Sequence, residues 1–127
     1  MSFVPAETVI VTDEKTDEEL LRRALPGAAT TVVSLAQGVA QVLRQLEERQ
    51  PALIVLACDH SSSEGLELLR EARKRHDGSA IVVVYAGSPN GFMERAFQLG
   101  VDDLITLPQS SDALAFAFEK AVTRRRG

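Results

Sequence analysis

The stretch PALIVLACDHSSSEGLELL, Pro51 to Leu69, decides the fold. It reads as a short apolar run, a polar loop and an amphipathic helix. Leu53 to Ala57 is continuous and apolar, as a strand buried on both faces requires. Pro51 announces it, because a proline belongs before a central strand and not inside one. The run His60-Ser61-Ser62-Ser63 carries turn chemistry, with Asp59 capping it as a solvated loop aspartate. Ser63 is the expected N-cap of a helix over Glu64 to Lys74.

The alternation continues in both directions. Toward the N-terminus, Thr8 to Thr12 is a short β-branched strand, and Asp13 to Thr16 is a polar turn. Asp17 to Leu25 is helical, with Leu20, Leu21, Ala24 and Leu25 on one face, and Pro26-Gly27 stops it. Thr30 to Val33 is the second strand. Ala36 to Arg49 is the second helix, with Val39, Val42, Leu43 and Leu46 as its apolar stripe. Toward the C-terminus, Ile81 to Tyr85 is the fourth strand and Ala86 to Gly91 a loop. Phe92 to Leu99 is a helix with Gly100 at its C′ position. Leu104 to Leu107 is the fifth strand, and Ser111 or Asp112 caps a last helix running to about Arg124.

Strands alternating with helices in this way predict βαβ crossovers and a parallel sheet covered on both faces. The fold class is α/β: a flavodoxin-like three-layer sandwich with a five-stranded parallel sheet of order 2-1-3-4-5. Periodicity alone leaves a Rossmann-like order open. Its glycine fingerprint is absent, however, since Thr12-Asp13-Glu14-Lys15 follows the first strand.

The chain of 127 residues has the length of a single domain, 1–127, with 123–127 as a helix end or linker start. It is 45% hydrophobic and 25% charged, the balance of a globular core with a solvated surface. A net charge of -4 argues against a nucleic-acid-binding face. No apolar run approaches the roughly 20 residues that span a bilayer. The start MSFVPAETVIV lacks a basic n-region, so it is not a secretory signal. Cys58 is the single cysteine, which rules out an internal disulfide framework and suits a small buried hydrophobe. A cytoplasmic location is the expectation.

The segment Gly100-Val101-Asp102-Asp103-Leu104-Ile105-Thr106-Leu107-Pro108 is the most specific in the chain. Together with Gly65-Leu66-Glu67-Leu68-Leu69 it resembles the receiver domains of response regulators, the CheY-like family. The resemblance covers Val9 to about Val122 and implies a domain that accepts a phosphoryl group on an aspartate ending the third strand. Aligned on residues 65–69, that position is Ala57, and a methyl group is neither a nucleophile nor a metal ligand. The family's two acids after the first strand, which hold Mg²⁺, fall on Thr12 and Asp13, with Glu14 following. The Thr or Ser ending the fourth strand falls on Tyr85, and the phosphoryl-pairing lysine on Leu107. The resemblance thus implies the fold and a vestigial phosphorylation pocket of Thr12, Asp13, Glu14, Ala57, Asp59, Tyr85 and Leu107. No catalytic residue, metal site or cofactor is expected. Asp59 offers one rescue: if the strand continues, its carboxylate stands roughly 6–7 Å beyond the Ala57 position. There it would share a cation with Asp13.

Other clusters have simpler readings. Asp59-His60-Ser61 is no catalytic triad, because a triad converges from separate segments. The loop Gly87-Ser88-Pro89-Asn90-Gly91 lacks the lysine of a phosphate cradle. Arg124-Arg125-Arg126 is a solvated helix end favoured by the macrodipole.

The leading functional expectation is a non-enzymatic pseudo-receiver: a phosphorylation-independent module that binds a protein partner or itself. The segment from Ala96 to Pro108, followed by a helix ending in arginines, is also similar to a further group. This group comprises the receiver-like N-terminal domains of ParA/MinD-type ATPases that localise tight-adherence (Flp) pilus assembly. Two alternatives stand beside this. One is a two-component receiver with atypical phosphorylation chemistry at Asp59 or Asp13. The other is a small-ligand sensor with Tyr85 as a hydrogen-bonding lid. In the fourth helix Met93, Ala96 and Phe97 are expected on the core face, with Phe92 and Leu99 outward. In the last helix Leu114, Ala117, Phe118, Ala121 and Val122 face the sheet and Phe116 faces away. Phe92, Leu99 and Phe116 therefore form the expected partner interface, on the face of helix 4, strand 5 and helix 5, for a homodimer or a docked protein.

Overall fold

The computed structural model describes residues 7–12, 18–25, 29–59, 63–86, 91–107 and 109–126. Strands β1 (Thr8–Thr12), β2 (Thr30–Ser34), β3 (Leu53–Asp59), β4 (Ala80–Ala86) and β5 (Asp103–Leu107) form one sheet. Its order is β2-β1-β3-β4-β5, and every pairing is parallel. Helices α1 (Glu18–Arg23), α2 (Val39–Arg49), α3 (Ser63–Arg75), α4 (Phe92–Gln98) and α5 (Ser111–Arg126) connect and cover it. This is the expected flavodoxin-like sandwich.

Strand alternation splits the core into two layers. Val9, Val11, Ile54, Leu56, Ile81, Val83 and Tyr85 pack with Val42, Leu43 and Leu46 of α2, Leu68, Leu69 and Ala72 of α3, and Ala96 of α4. Ile10, Leu53, Val55, Ala57, Val82 and Val84 face the other way, toward Leu21 of α1 and Leu114, Phe118, Ala121 and Val122 of α5. Full burial of side chains such as Leu114 and Phe118 contributes about 2 kcal/mol each relative to exposure. The α5 residues meet the sheet on the face their spacing predicts.

Several boundaries move for local reasons. The expected helix from Ala36 breaks at Gly38, whose φ of 98° no helix accommodates; a 3-10 turn over Leu35–Gln37 precedes it. The Ser34 hydroxyl caps that turn by accepting from the Ala36 N–H at 3.2 Å. Ser63 is the first residue of α3 and not its cap. The last helix is capped by Ser110 and not by Ser111 or Asp112: the Ala113 N–H donates to Ser110 Oγ at 3.1 Å. Strand β3 runs two residues past Ala57 to Asp59.

Helix α4 corrects a phase. Ala96 is fully buried, but Phe97, expected on the core face, is 47% exposed. Leu99, expected outward, packs partly buried against the core. The helix stops at Gln98, and Leu99 three residues after Ala96 continues the inward line into the turn at Gly100, where φ is 92°. Phe116 stands 66% exposed on α5.

Candidate functional site

Three rungs at the C-terminal edge of the sheet hold the positions of interest. The first joins Thr12, Ala57, Val84 and Ile105 across β1, β3, β4 and β5. The second joins Cys58, Tyr85 and Thr106, and the third joins Asp59, Ala86 and Leu107. Parallel pairing brings these strand ends together because all strands point the same way, and loops meet at their C-terminal edge.

On the first rung Ala57 is fully buried and Thr12 is 9% exposed. Ala57 shares the α1/α5 layer with Val84 and the partly buried Ile105 and Leu107. The side chains described there are a methyl, a hydroxyl and branched hydrocarbons. A Mg²⁺ ion wants hard oxygen ligands in octahedral geometry. Ala57 and Leu107 offer it no ligand and Thr12 a single hydroxyl, and no group of three or more His, Cys, Asp or Glu suited to a metal occurs among the described residues. Asp13 and Glu14 lie outside the described residues, as do the side chains of Asp59, Phe92 and Met93.

Tyr85 departs from the lid reading. It sits one residue out of phase with Ala57 along the ladder, so its ring enters the opposite layer, against α2, α3 and α4. It is 1% exposed, and burial pushes its phenol above the ordinary tyrosine range. A residue locked in a core cannot close over a crevice at the sheet edge.

The N-terminal edge carries the strongest polar network described, which the sequence reading did not single out. Arg73 near the end of α3 donates to Gly100 O (3.0 Å), His76 O (3.2 Å), Asp77 O (3.2 Å) and Ser79 O (2.9 Å). Its Nη2 meets Asp102 Oδ2 at 2.9 Å, and the same oxygen accepts the Ile81 N–H at 2.8 Å. Arg125 in the last turn of α5 donates from Nε to Asp102 Oδ1 at 2.8 Å. Burial pushes the Arg73 guanidinium below its ordinary value, against the opposing pull of Asp102. Asp102 and Gly100 belong to the segment that carries the resemblance, and the clasp gives both of them a structural role.

Residues 8–119 match the response regulator receiver domain. The chain belongs to that family. This receiver domain is 27% identical over 114 residues to the DNA-binding transcriptional regulator NtrC of Escherichia coli K12, covering 90% of this chain and 24% of that protein. It is 28% identical over 117 residues to a protein-glutamate methylesterase/protein-glutamine glutaminase 2 of Koribacter versatilis, covering 90% of this chain and 32% of that one. The receiver thus spans about a quarter to a third of the length of these curated relatives. Among solved structures, NtrX of Brucella abortus in complex with ADP superposes with a TM-score of 0.82 at 23% identity, over 98% of this chain and 27% of that one. A CheY-like receiver of Methanospirillum hungatei gives 0.75 at 17% identity, over 95% and 97%. Likenesses at these identities speak for the fold alone.

Proposed function

We propose that this receiver domain is a phosphorylation-independent, non-enzymatic interaction module. One observation carries the reading: Ala57, where the resemblance puts the acceptor, is fully buried in the apolar layer that Leu107 also joins. Phosphoryl transfer needs an activated nucleophile and a cation to take up developing charge, and neither Ala57 nor Leu107 supplies one. The contact surface is the face of α4, β5 and α5, and its occupant is a second copy of this chain. Phe116 and Phe97 stand exposed on the two helices that flank β5. β5 is an edge strand, half-exposed along its whole length and paired with β4 alone. Leu99 contributes as a half-buried floor. Acetyl phosphate with Mg²⁺ should leave the intact mass unchanged, while light scattering should show a dimer that Phe116→Asp dissolves. A stoichiometric phosphoryl adduct ends the first half of the proposal, and a monomer at high concentration ends the second.

The continuation of β3 to Asp59 favours a second reading, a two-component receiver with a displaced acceptor. Asp59 occupies the last rung of β3, on the rung of Leu107. A phosphoryl adduct lost in Asp59→Asn would support it. The tight-adherence pilus reading rests on the similarity of Ala96 to Pro108. A Gly-x-x-x-x-Gly-Lys motif downstream in the same gene tests it.

A further inference from the structure

The turn that joins α3 to β4 holds His76, one of the two histidines of the chain. Its Nε2 is buried and has no hydrogen-bond partner among the described residues. An uncharged ring tolerates that position. An imidazolium does not, because both of its nitrogens donate, and a buried charged N–H without an acceptor bears its full desolvation cost. Burial accordingly holds this imidazole below its ordinary range, while Glu47 pulls it up and Arg75 pushes it down. Glu47 from α2, Arg75 from α3 and Glu7 before β1 line one cleft with His76, and Asp77 follows it in the turn. Arg75 meets Glu47 at 2.9 Å and Arg49 stands 3.6 Å from Glu7, so charges offset within each pair and burial decides.

The main chain beside that ring is the loosest part of the clasp. His76 O accepts from Arg73 Nη1 and from the Ser79 N–H, both at 3.2 Å. Asp77 O accepts from Arg73 Nη1 and from Arg125 Nη1, again both at 3.2 Å. Arg73 Nη1 also donates to Ser79 O at 2.9 Å, so one nitrogen with two hydrogens serves three carbonyls. The flanks are tighter: the His76 N–H meets Ala72 O at 2.8 Å, and Ser79 Oγ meets Pro51 O at 2.6 Å. Long, shared bonds between two tight anchors mark where local opening costs least.

We propose that the His76–Asp77 turn is an acid-sensitive release for the end of α5. Protonation turns the His76 ring out of its buried site toward water and the carboxylates of Glu47 and Glu7. Residues 76–79 open, Asp77 O leaves Arg125, and the last turn of α5 loosens. The pair of Arg73 with Asp102 stays in place, and so does the sheet. The turn lies at the end of the sheet opposite Ala57, so this inference stands or falls apart from the proposed function.

The test is amide exchange of the ¹⁵N-labelled chain, followed by NMR from about pH 7.5 to about pH 5.5, where histidine is the side chain that titrates. Rates are expressed as protection factors, which removes the intrinsic pH dependence of exchange. Opening that frees an ordinary imidazole is favoured by up to about tenfold per pH unit below 6.5, down to the folded pKa. The Ser79 amide should therefore lose protection about threefold or more over this range, and the amides of the last turn of α5 should lose protection with it. The loss should follow the titration of the His76 ring resonances, vanish in His76→Gln and persist in His60→Gln. Low urea should leave Ser79 exchange unchanged while speeding that of Val55 in β3, which separates local opening from unfolding. The proposal is overturned if Ser79 protection is flat with pH, if the α5 turn does not follow, if the response survives in His76→Gln, or if Ser79 tracks Val55 in urea.

Discussion

Asp102 Oδ2 accepts from Arg73 Nη2 at 2.9 Å and from the Ile81 N–H at 2.8 Å, so one carboxylate oxygen joins the end of α3 to the starts of β4 and β5. With Arg125 on its other oxygen, Asp102 also fixes the last turn of α5. The domain is thus clasped at the N-terminal edge of the sheet, opposite the rung of Ala57. Both partners of the inner pair are largely buried, at 15% and 10% exposure. Removing one partner of such a pair leaves the other charge uncompensated, a cost of about 3 kcal/mol. Asp102→Ala should therefore lower urea-unfolding stability by about that much, while Arg125→Ala, at a more exposed site, should cost about 1 kcal/mol or less. Equal effects would show that the clasp is not centred on Arg73.

Gly100 is bound to the same clasp. Its φ is 92°, and a Cβ there would lie 3.2 Å from Arg73 Cγ. Gly100→Ala is expected to destabilise by about 1–3 kcal/mol through backbone strain and displacement of the guanidinium. Combined with Arg73→Ala the two losses should be less than additive, read by a double-mutant cycle.

On the proposed function, Ala57→Asp supplies a carboxylate at the acceptor position but not the surroundings it needs. It would place a charge in a fully buried apolar position with Leu107 where a cation is needed. The variant should be less stable than the parent and should form no beryllofluoride complex, as checked by thermal unfolding and by fluorine NMR. A stable complex would show that Thr12 and Leu107 tolerate the chemistry.

Phe116 is 66% exposed, and its ring carries Lys120 Nζ 5.8 Å from the centroid. Phe116→Asp should change stability by no more than about 0.5 kcal/mol. Loss of self-association in that variant would then report on the surface and not on unfolding.

His76 gives a pH dependence. Desolvation is the largest influence on its imidazole and holds its folded pKa below the unfolded value of 6.5. As pH falls below about 6.5 the unfolded chain takes up a proton that the folded domain resists. The contribution of His76 is therefore fully present above that pH and is lost on acidification through the folded pKa. Melting temperature measured against pH should fall less steeply on the acid side in His76→Gln than in the parent.

The sequence by itself determined the layers of the fold, while the choice of the 2-1-3-4-5 order over a Rossmann-like one was made by the strand pairing. Runs such as Leu53 to Ala57 and Ile81 to Tyr85 are apolar at every position, which only a sheet covered on both faces satisfies. It also fixed the residue at position 57 as alanine, which is a covalent fact, and the proposed function builds on that identity. What only the tertiary structure decided was direction and partnership. Tyr85 turned out to face the layer opposite Ala57, since ladder register, and not alignment position, sets which side a strand residue takes. Phe97 and Leu99 exchanged roles because α4 is short, and its turn at Gly100, not its helical period, places the last residue. Arg73, Asp102 and Arg125 are far apart in the chain and carry no local pattern. Their meeting depends on where α3, β5 and α5 end in space, and no periodicity in the sequence encodes that.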